Sequence, residues 1–201
     1  MNRAFLGVAV GATLLLATAG SCLAEDADAG IRAYNSRKYR DAYRILIIQA
    51  SKGNAAAQFC LGSMYHDGNG VPKNEKEAIK WFRLSAEQGY SLSEYMIGWY
   101  YYHGVGVPQD YRESEKWWRL SAEEGVAIAQ ANLGILYAMG QGITQNKIIA
   151  HMWLNIAASN GVGWATETRN TVAGHMSKQE IDLAQQMASR CVDRQYKRCD
   201  Y

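Results

Sequence analysis

A period of 36 residues constrains this chain more than anything else in it. The turn GVGVP at 104–108 has a counterpart GNGVP at 68–72 and a weaker one, GQGIT, at 140–144. Trp81, Trp117 and Trp153 keep the same spacing, as do Leu61-Gly62, Ile97-Gly98 and Leu133-Gly134, each followed three residues after its glycine by Tyr65, Tyr101 or Tyr137. The endings ASKG (50–53), AEQG (86–89), AEEG (122–125) and ASNG (158–161) fall in the same register. A fixed period of this length marks an array in which each unit buries its apolar face against the next. A phosphate-binding reading of the glycine turn fails, because such a loop follows a strand and ends in lysine with a hydroxyl residue.

Each unit reads as a pair of helices. In the first unit Ala57, Leu61 and Tyr65 are spaced four apart and share one face of a helix from about Ala55 to His66. Gly62 leaves room for close approach by the partner helix. The second helix is expected to open at Asn74, Asp110 and Asn146, again 36 apart, and Glu77 and Glu113 three residues on predict capping boxes. Ala78, Trp81 and Leu84 are expected to form its buried stripe, repeated as Ser114, Trp117 and Leu120. Glu115 and Arg119, four apart, read as a weak pair on a solvated face. With only two prolines in 201 residues, nothing opposes an all-helical chain.

These residues resemble the Sel1-like repeat, a relative of the tetratricopeptide repeat. Its pattern combines an Ala-Gln, a Leu-Gly, a Tyr, a Gly-x-Gly-Val turn, an Asp cap, a Trp and a closing Ala-x-x-Gly. The match runs through 54–89, 90–125 and 126–161, with Ala57-Gln58 and Ala129-Gln130 intact, and departs at Ser93-Glu94 and at Ile143-Thr144. The resemblance implies an all-α fold, an α/α solenoid of helix-turn-helix units forming a right-handed superhelix. Residues 25–53 then form a shortened, tetratricopeptide-like helix pair in which Ala33, Tyr34, Tyr39, Ala42, Ile45, Leu46 and Ile48 carry the apolar pattern. Residues 162–201 form capping helices and a tail, with Ala165 in register, Arg169 where Leu133 would repeat, and a capping box at Ser177 and Glu180.

The first 24 residues have the layout of a secretory leader: Arg3, an apolar stretch too short to span a membrane comfortably, then small residues to Ala24. Cleavage is expected after Ala24. Acylation at Cys22 is the alternative, weakened because Ala19 stands where such signals carry a bulky aliphatic residue. The expected location is therefore periplasmic or secreted, with no membrane anchor after cleavage. The chain holds 21 basic and 19 acidic residues, and only Arg3 falls in the leader. Near neutrality argues against nucleic acid as a partner. In an oxidising compartment Cys191 and Cys199 are expected to form a disulfide tying the tail to the last helix, while Cys60 reads as a small core residue.

No catalytic constellation is visible. The motifs Ser-x-x-Lys, Gly-x-Ser-x-Gly and His-Glu-x-x-His are absent, and the four histidines lack metal-ligand spacing, so neither catalysis nor a cofactor or metal is expected. Some secreted cysteine-rich relatives have been associated with β-lactams, but their paired cysteines in every unit are missing here. The function expected from the resemblance is a non-catalytic scaffold that binds an envelope protein or peptide in a concave groove. The alternative is an accessory protein that binds peptidoglycan or exopolysaccharide, and a hydrolase acting on β-lactams or the cell wall ranks last. By resemblance the groove positions are Tyr95, Trp99, Tyr102 and His103 in unit two, Phe59, Ser63, His66 and Asp67 in unit one, and Ala131, Ile135, Ala138 and Met139 in unit three. The competing reading is that Tyr95 and Trp99 only pack against neighbouring helices.

Overall fold

A computed structural model describes residues 29–199. The expected leader, its cleavage at Ala24 and the alternative at Cys22 lie outside the described residues. Among those residues there are ten helices and no strand. A short pair, α1 (Ala29–Asn35) and α2 (Tyr39–Ser51), precedes three like pairs. These are α3 (Ala55–Asp67) with α4 (Glu75–Ala86), α5 (Ser91–His103) with α6 (Tyr111–Glu123), and α7 (Ala127–Met139) with α8 (Lys147–Ser159). Helices α9 (Gly163–Ala173) and α10 (Lys178–Asp193) close the array. Contacts run mainly between successive helices, as a stacked solenoid requires, and α10 departs from this by folding back onto α8.

The period sets the local structure. Each first helix ends on a left-handed glycine, Gly68, Gly104 or Gly140, at φ 75°, 66° and 67°. The second glycine of each turn, Gly70, Gly106 or Gly142, is left-handed too, so both positions need the freedom that a Cβ removes. The chain then returns. The amides of Asn74, Asp110 and Asn146 donate to the carbonyls of Tyr65, Tyr101 and Tyr137 at 2.9, 2.9 and 3.0 Å. These three residues cap the second helices, as the sequence predicts: Asn74 accepts from the Glu77 amide, and Asp110 and Asn146 each accept from two amides. The expected capping boxes at Glu77 and Glu113 do not close. Their carboxylates are taken by Lys80 and Lys116 one turn on, and the reciprocal box forms at Ser177 and Glu180.

The helix pairs meet at the central glycines. A Cβ on Gly62 would come within 2.7 Å of the Phe82 ring, one on Gly134 within 2.8 Å of Leu154, and one on Gly98 would run into the Trp118 indole. Phe82, Trp118 and Leu154 are one register position, so the true buried stripe differs from the expected one. It runs through Ala78, Ile79, Phe82 and Ala86 in α4 and through Ser114, Trp118, Ser121 and Ala122 in α6. Trp81 and Trp117 are only half buried, while Trp153 is fully buried. Leu84 and Leu120 are exposed. A helix turns 100° per residue, so 82 and 118 sit at the centre of the face opposite the glycine and 84 and 120 fall outside it.

Recurrent polar contacts tie the two helices of a unit together and join one unit to the next. Ser85 Oγ donates to the Ala55 carbonyl and Ser121 Oγ to that of Ser91, both at 2.8 Å. Arg83 and Arg119 each reach across to the hydroxyl of the following unit's register tyrosine, Tyr101 and Tyr137. The Glu115–Arg119 pair is therefore not on a solvated face: both side chains are mostly buried and belong to this bridge. Gln58 donates to the Ala50 carbonyl and accepts from Gln88, and Gln130 donates to Ala122 and accepts from Asn160. In unit two the corresponding positions are both acidic, Glu94 and Glu124.

Candidate interaction surface

The predicted groove residues divide by burial. Phe59, Ser63, Tyr95 and Ile135, expected at the surface, are buried, as is Ala131 in the same register. Neighbouring elements occupy that space: the Phe59 ring lies 5.3 Å from that of Tyr90 and 5.6 Å from that of Phe82. Tyr95 stacks on Trp118, whose indole donates to the Tyr95 carbonyl at 3.1 Å across the gap left by Gly98. For Tyr95 the packing reading holds. What reaches the surface is the next stripe, at the C-terminal ends of the first helices: half-buried His66, Trp99, Tyr102 and Ala138, with exposed His103 and Met139.

Helix α5 gathers the aromatic part of this stripe, because Trp99, Tyr102 and His103 lie three and four residues apart on one face. Trp99 stands edge-on to His66 of the preceding unit at 5.5 Å and lies against His103 at 4.5 Å. Tyr102 packs on His103 at 5.0 Å, on Tyr111 and on Trp118, and its hydroxyl donates to Gln141 Oε1 of the following unit at 3.2 Å. The surface thus spans three units, and its rings are held by their neighbours before any partner arrives.

A polar cluster that the sequence did not single out supports it from beneath. Tyr100, the residue between Trp99 and the register tyrosine, is fully buried and donates its hydroxyl proton to Glu75 Oε2 at 2.7 Å. His66 Nδ1 lies 2.7 Å from that hydroxyl oxygen and 3.2 Å from Glu75. Since Tyr100 has one proton and Glu75 takes it, Nδ1 is the donor. Lys73 completes the set with an ion pair to Glu75 at 2.9 Å. Burial pushes the Glu75 carboxyl up, but hydrogen bonds from Tyr100, Lys73 and His66 outweigh it and hold the group below the usual range. Burial, with the Glu75 carboxylate beside it, drives the Tyr100 phenol far up, so it stays a donor. The Trp99 and Tyr102 rings packed on one side of the exposed His103 imidazole partly desolvate it, which lowers its pKa and favours its neutral form. The cluster orients His66 and, through it, the edge of Trp99. Only a fold that brings 66, 75 and 100 together reveals it, and no spacing signal could have.

Among the described residues no group of three or more His, Cys, Asp or Glu side chains is placed to hold a metal ion. No described helix is long and apolar enough to cross a membrane. At the far end Cys191 and Cys199 form a disulfide with Cα atoms 4.7 Å apart, and Cys60 is fully buried in the core.

Stacked helix pairs joined by a double-glycine turn, with Trp99, Tyr102 and His103 at the rim of α5, define an α-solenoid. The chain belongs to the Sel1 repeat family, which matches residues 55–90, 91–126 and 127–162. Repeats of this family generally mediate protein–protein interaction. The fold is similar to the crystal structure of a Sel1 repeat protein from Oxalobacter formigenes, with 28% identity and TM-score 0.69 over 81% of this chain and 74% of that one. It is also similar to a protective antigen of uropathogenic Escherichia coli that displays an SLR fold, with 39% identity and TM-score 0.59 over 61% of this chain. This chain spans 26% of that antigen. No curated protein matches.

Proposed function

We propose that the protein is a non-catalytic adaptor of the cell envelope that holds a partner protein or peptide against the rim formed by Trp99, Tyr102 and His103, flanked by His66 and Met139. The observation that carries this reading is the preassembled ring cluster: rings already fixed by neighbours lose little rotamer freedom on binding, which favours them as anchors. Their polar tips suit an amphipathic partner. The secretory layout of the first 24 residues supports an envelope location, and the tail disulfide is compatible with it.

The test is a photo-crosslinker at position 103 in the native host, repeated with Trp99→Ala and Tyr102→Ala. The adaptor reading expects a defined protein adduct that both substitutions reduce at least tenfold while helical content is unchanged. An adduct of undiminished yield in both variants would show that the rim is not the docking site. Sedimentation of the purified protein with isolated cell wall, abolished by Trp99→Ala, would instead assign the rim to glycan.

A further inference from the structure

The second helices carry a pattern that the rim does not use. Helix α2 presents Arg40, Arg44 and Ile48, α4 presents Lys76, Lys80 and Leu84, and α6 presents Arg112, Lys116 and Leu120. All nine are exposed. Residues four apart lie on one stripe of a helix, and the 36-residue register repeats that stripe three times. The second-helix face therefore bears two rows of cations and one row of apolar side chains. Glu77 and Glu113 engage Lys80 and Lys116, and Asp41 is the exposed acid next to Arg40. Arg40, Lys76 and Arg112 form no ion pair among the described residues.

The next second helix in register, α8 of unit three, shows what covers such a stripe. In α8 the three positions are Ile148, Met152 and Ile156, and helix α10 packs onto α8. Ile48, Leu84 and Leu120 are 56%, 40% and 48% exposed, whereas Ile156 is 1% exposed. Met152 and Ile156 of α8 and Ala184, Ala188 and Cys191 of α10 are all buried, and the two helices pack together. The cover is thus an amphipathic helix that turns small residues, Ala184 and Ala188, inward. Where the chain supplies no cover, cations replace the first two apolar rows and the third row stays apolar. A hollow lined by Glu123, Glu124, Val192, Gln195, Tyr196 and Lys197 joins the end of α6 to the end of α10.

We propose that this face is a second docking surface, for an acidic amphipathic helix of a partner protein. The helix crosses α2, α4 and α6, sets small apolar side chains on Ile48, Leu84 and Leu120, and places carboxylates against Arg40, Lys76 and Arg112. Charge complementarity selects an acidic partner, and the α10 arrangement selects a helix.

The experiment titrates the isotope-labelled full-length mature protein with a helical peptide of about six turns bearing alanine and leucine on one face and glutamate on its flanks. Its control has every glutamate replaced by lysine. The expected result is saturable amide shifts confined to α2, α4 and α6. Affinity should drop at least tenfold in the R40E/K76E/R112E protein and in a Leu84→Ser/Leu120→Ser protein, and stay unchanged in Trp99→Ala. These side chains are exposed, so unaltered melting of each variant is the control for folding. No shifts, shifts confined to α3, α5 and α7, or equal binding of the lysine peptide would overturn the proposal. Binding to phosphatidylglycerol vesicles without binding to the peptide would overturn it in favour of a lipid surface.

Discussion

Glu94 stands where the neighbouring units carry Gln58 and Gln130. Each of those glutamines donates a side-chain N–H to the carbonyl eight residues earlier, a bond that a carboxylate at position 94 cannot make. Glu94 is nonetheless buried, and burial, with Glu124 nearby, raises its carboxyl to about 7, while Lys197 from the tail works against the shift. The folded state therefore favours the protonated acid. Below the ordinary value of 4.5 both states are protonated and the group contributes no penalty. Between there and about 7 the unfolded chain ionises while the folded one resists, so stability falls with rising pH by at most roughly 1.4 kcal/mol per unit. Glu94→Gln should remove that slope and raise stability at pH 7.5 by about 1–3 kcal/mol. Urea melts of both proteins at pH 4.5, 6 and 7.5 check it, and parallel curves would mean that Glu94 is solvated. Gly98 is the second informative residue. Its missing Cβ is the space that the Trp118 ring fills, so Gly98→Ala should destabilise by about 1–3 kcal/mol through overpacking. A melting midpoint unchanged from wild type would refute that contact.

At the scale of helices, the ends are more legible in the sequence than the faces. Asn74, Asp110 and Asn146 mark where second helices start because an N-cap needs a short polar acceptor and few residues provide one. The turns are legible for the same reason, since two left-handed positions call for glycine. Faces are harder. Leu84 and Leu120 satisfy a buried-stripe spacing as well as Phe82 and Trp118 do, and the choice depends on which side faces Gly62 or Gly98. The rim suffers from the same ambiguity: Tyr95 and Trp99 are four apart, yet one is buried against Trp118 and the other is half open. The cap and the unformed box make separable predictions. Asp110 accepts from the amides of Arg112 and Glu113, so Asp110→Ala should cost about 1 kcal/mol. Glu113 serves only a surface pair with Lys116, so Glu113→Ala should change stability by less than about 0.5 kcal/mol. Equal losses in chemical denaturation would mean that the box closes in solution.

Across the whole molecule, a solenoid draws its stability from contacts between successive units, and its ends need shielding. Here the two ends are shielded differently. At the N-terminal side α1 and α2 form a short pair whose core is Ile31, Tyr34, Ala42, Leu46 and Ala50. At the other end α8 is flanked by α7 and α9 and covered by α10, which buries Met152 and Ile156. The tail beyond α10 is bonded to the cover at one point and fastened to the repeats at two. Cys199 is bonded to Cys191, Tyr196 hydrogen-bonds Asn160 at the end of unit three, and Lys197 pairs with Glu124 at the end of unit two. In the chain-entropy model a disulfide closing so short a loop contributes about 2–3 kcal/mol. That stabilisation belongs to the tail and α10, because the repeats are linked to them mainly through α8. Cys191→Ser/Cys199→Ser should therefore speed amide exchange in α10 first, with α3 to α6 retaining their protection. Ending the chain at Met176 should be more severe, since it uncovers the Ile148, Met152 and Ile156 stripe without supplying the cations that keep the equivalent stripes of α2, α4 and α6 wetted. The truncated protein should self-associate, as sedimentation velocity would show, and replacing those three residues by Lys, Lys and Leu should return it to the state of the full-length chain. Protection lost evenly from all the described helices in the cysteine variant would instead mean that the array unfolds as one cooperative block.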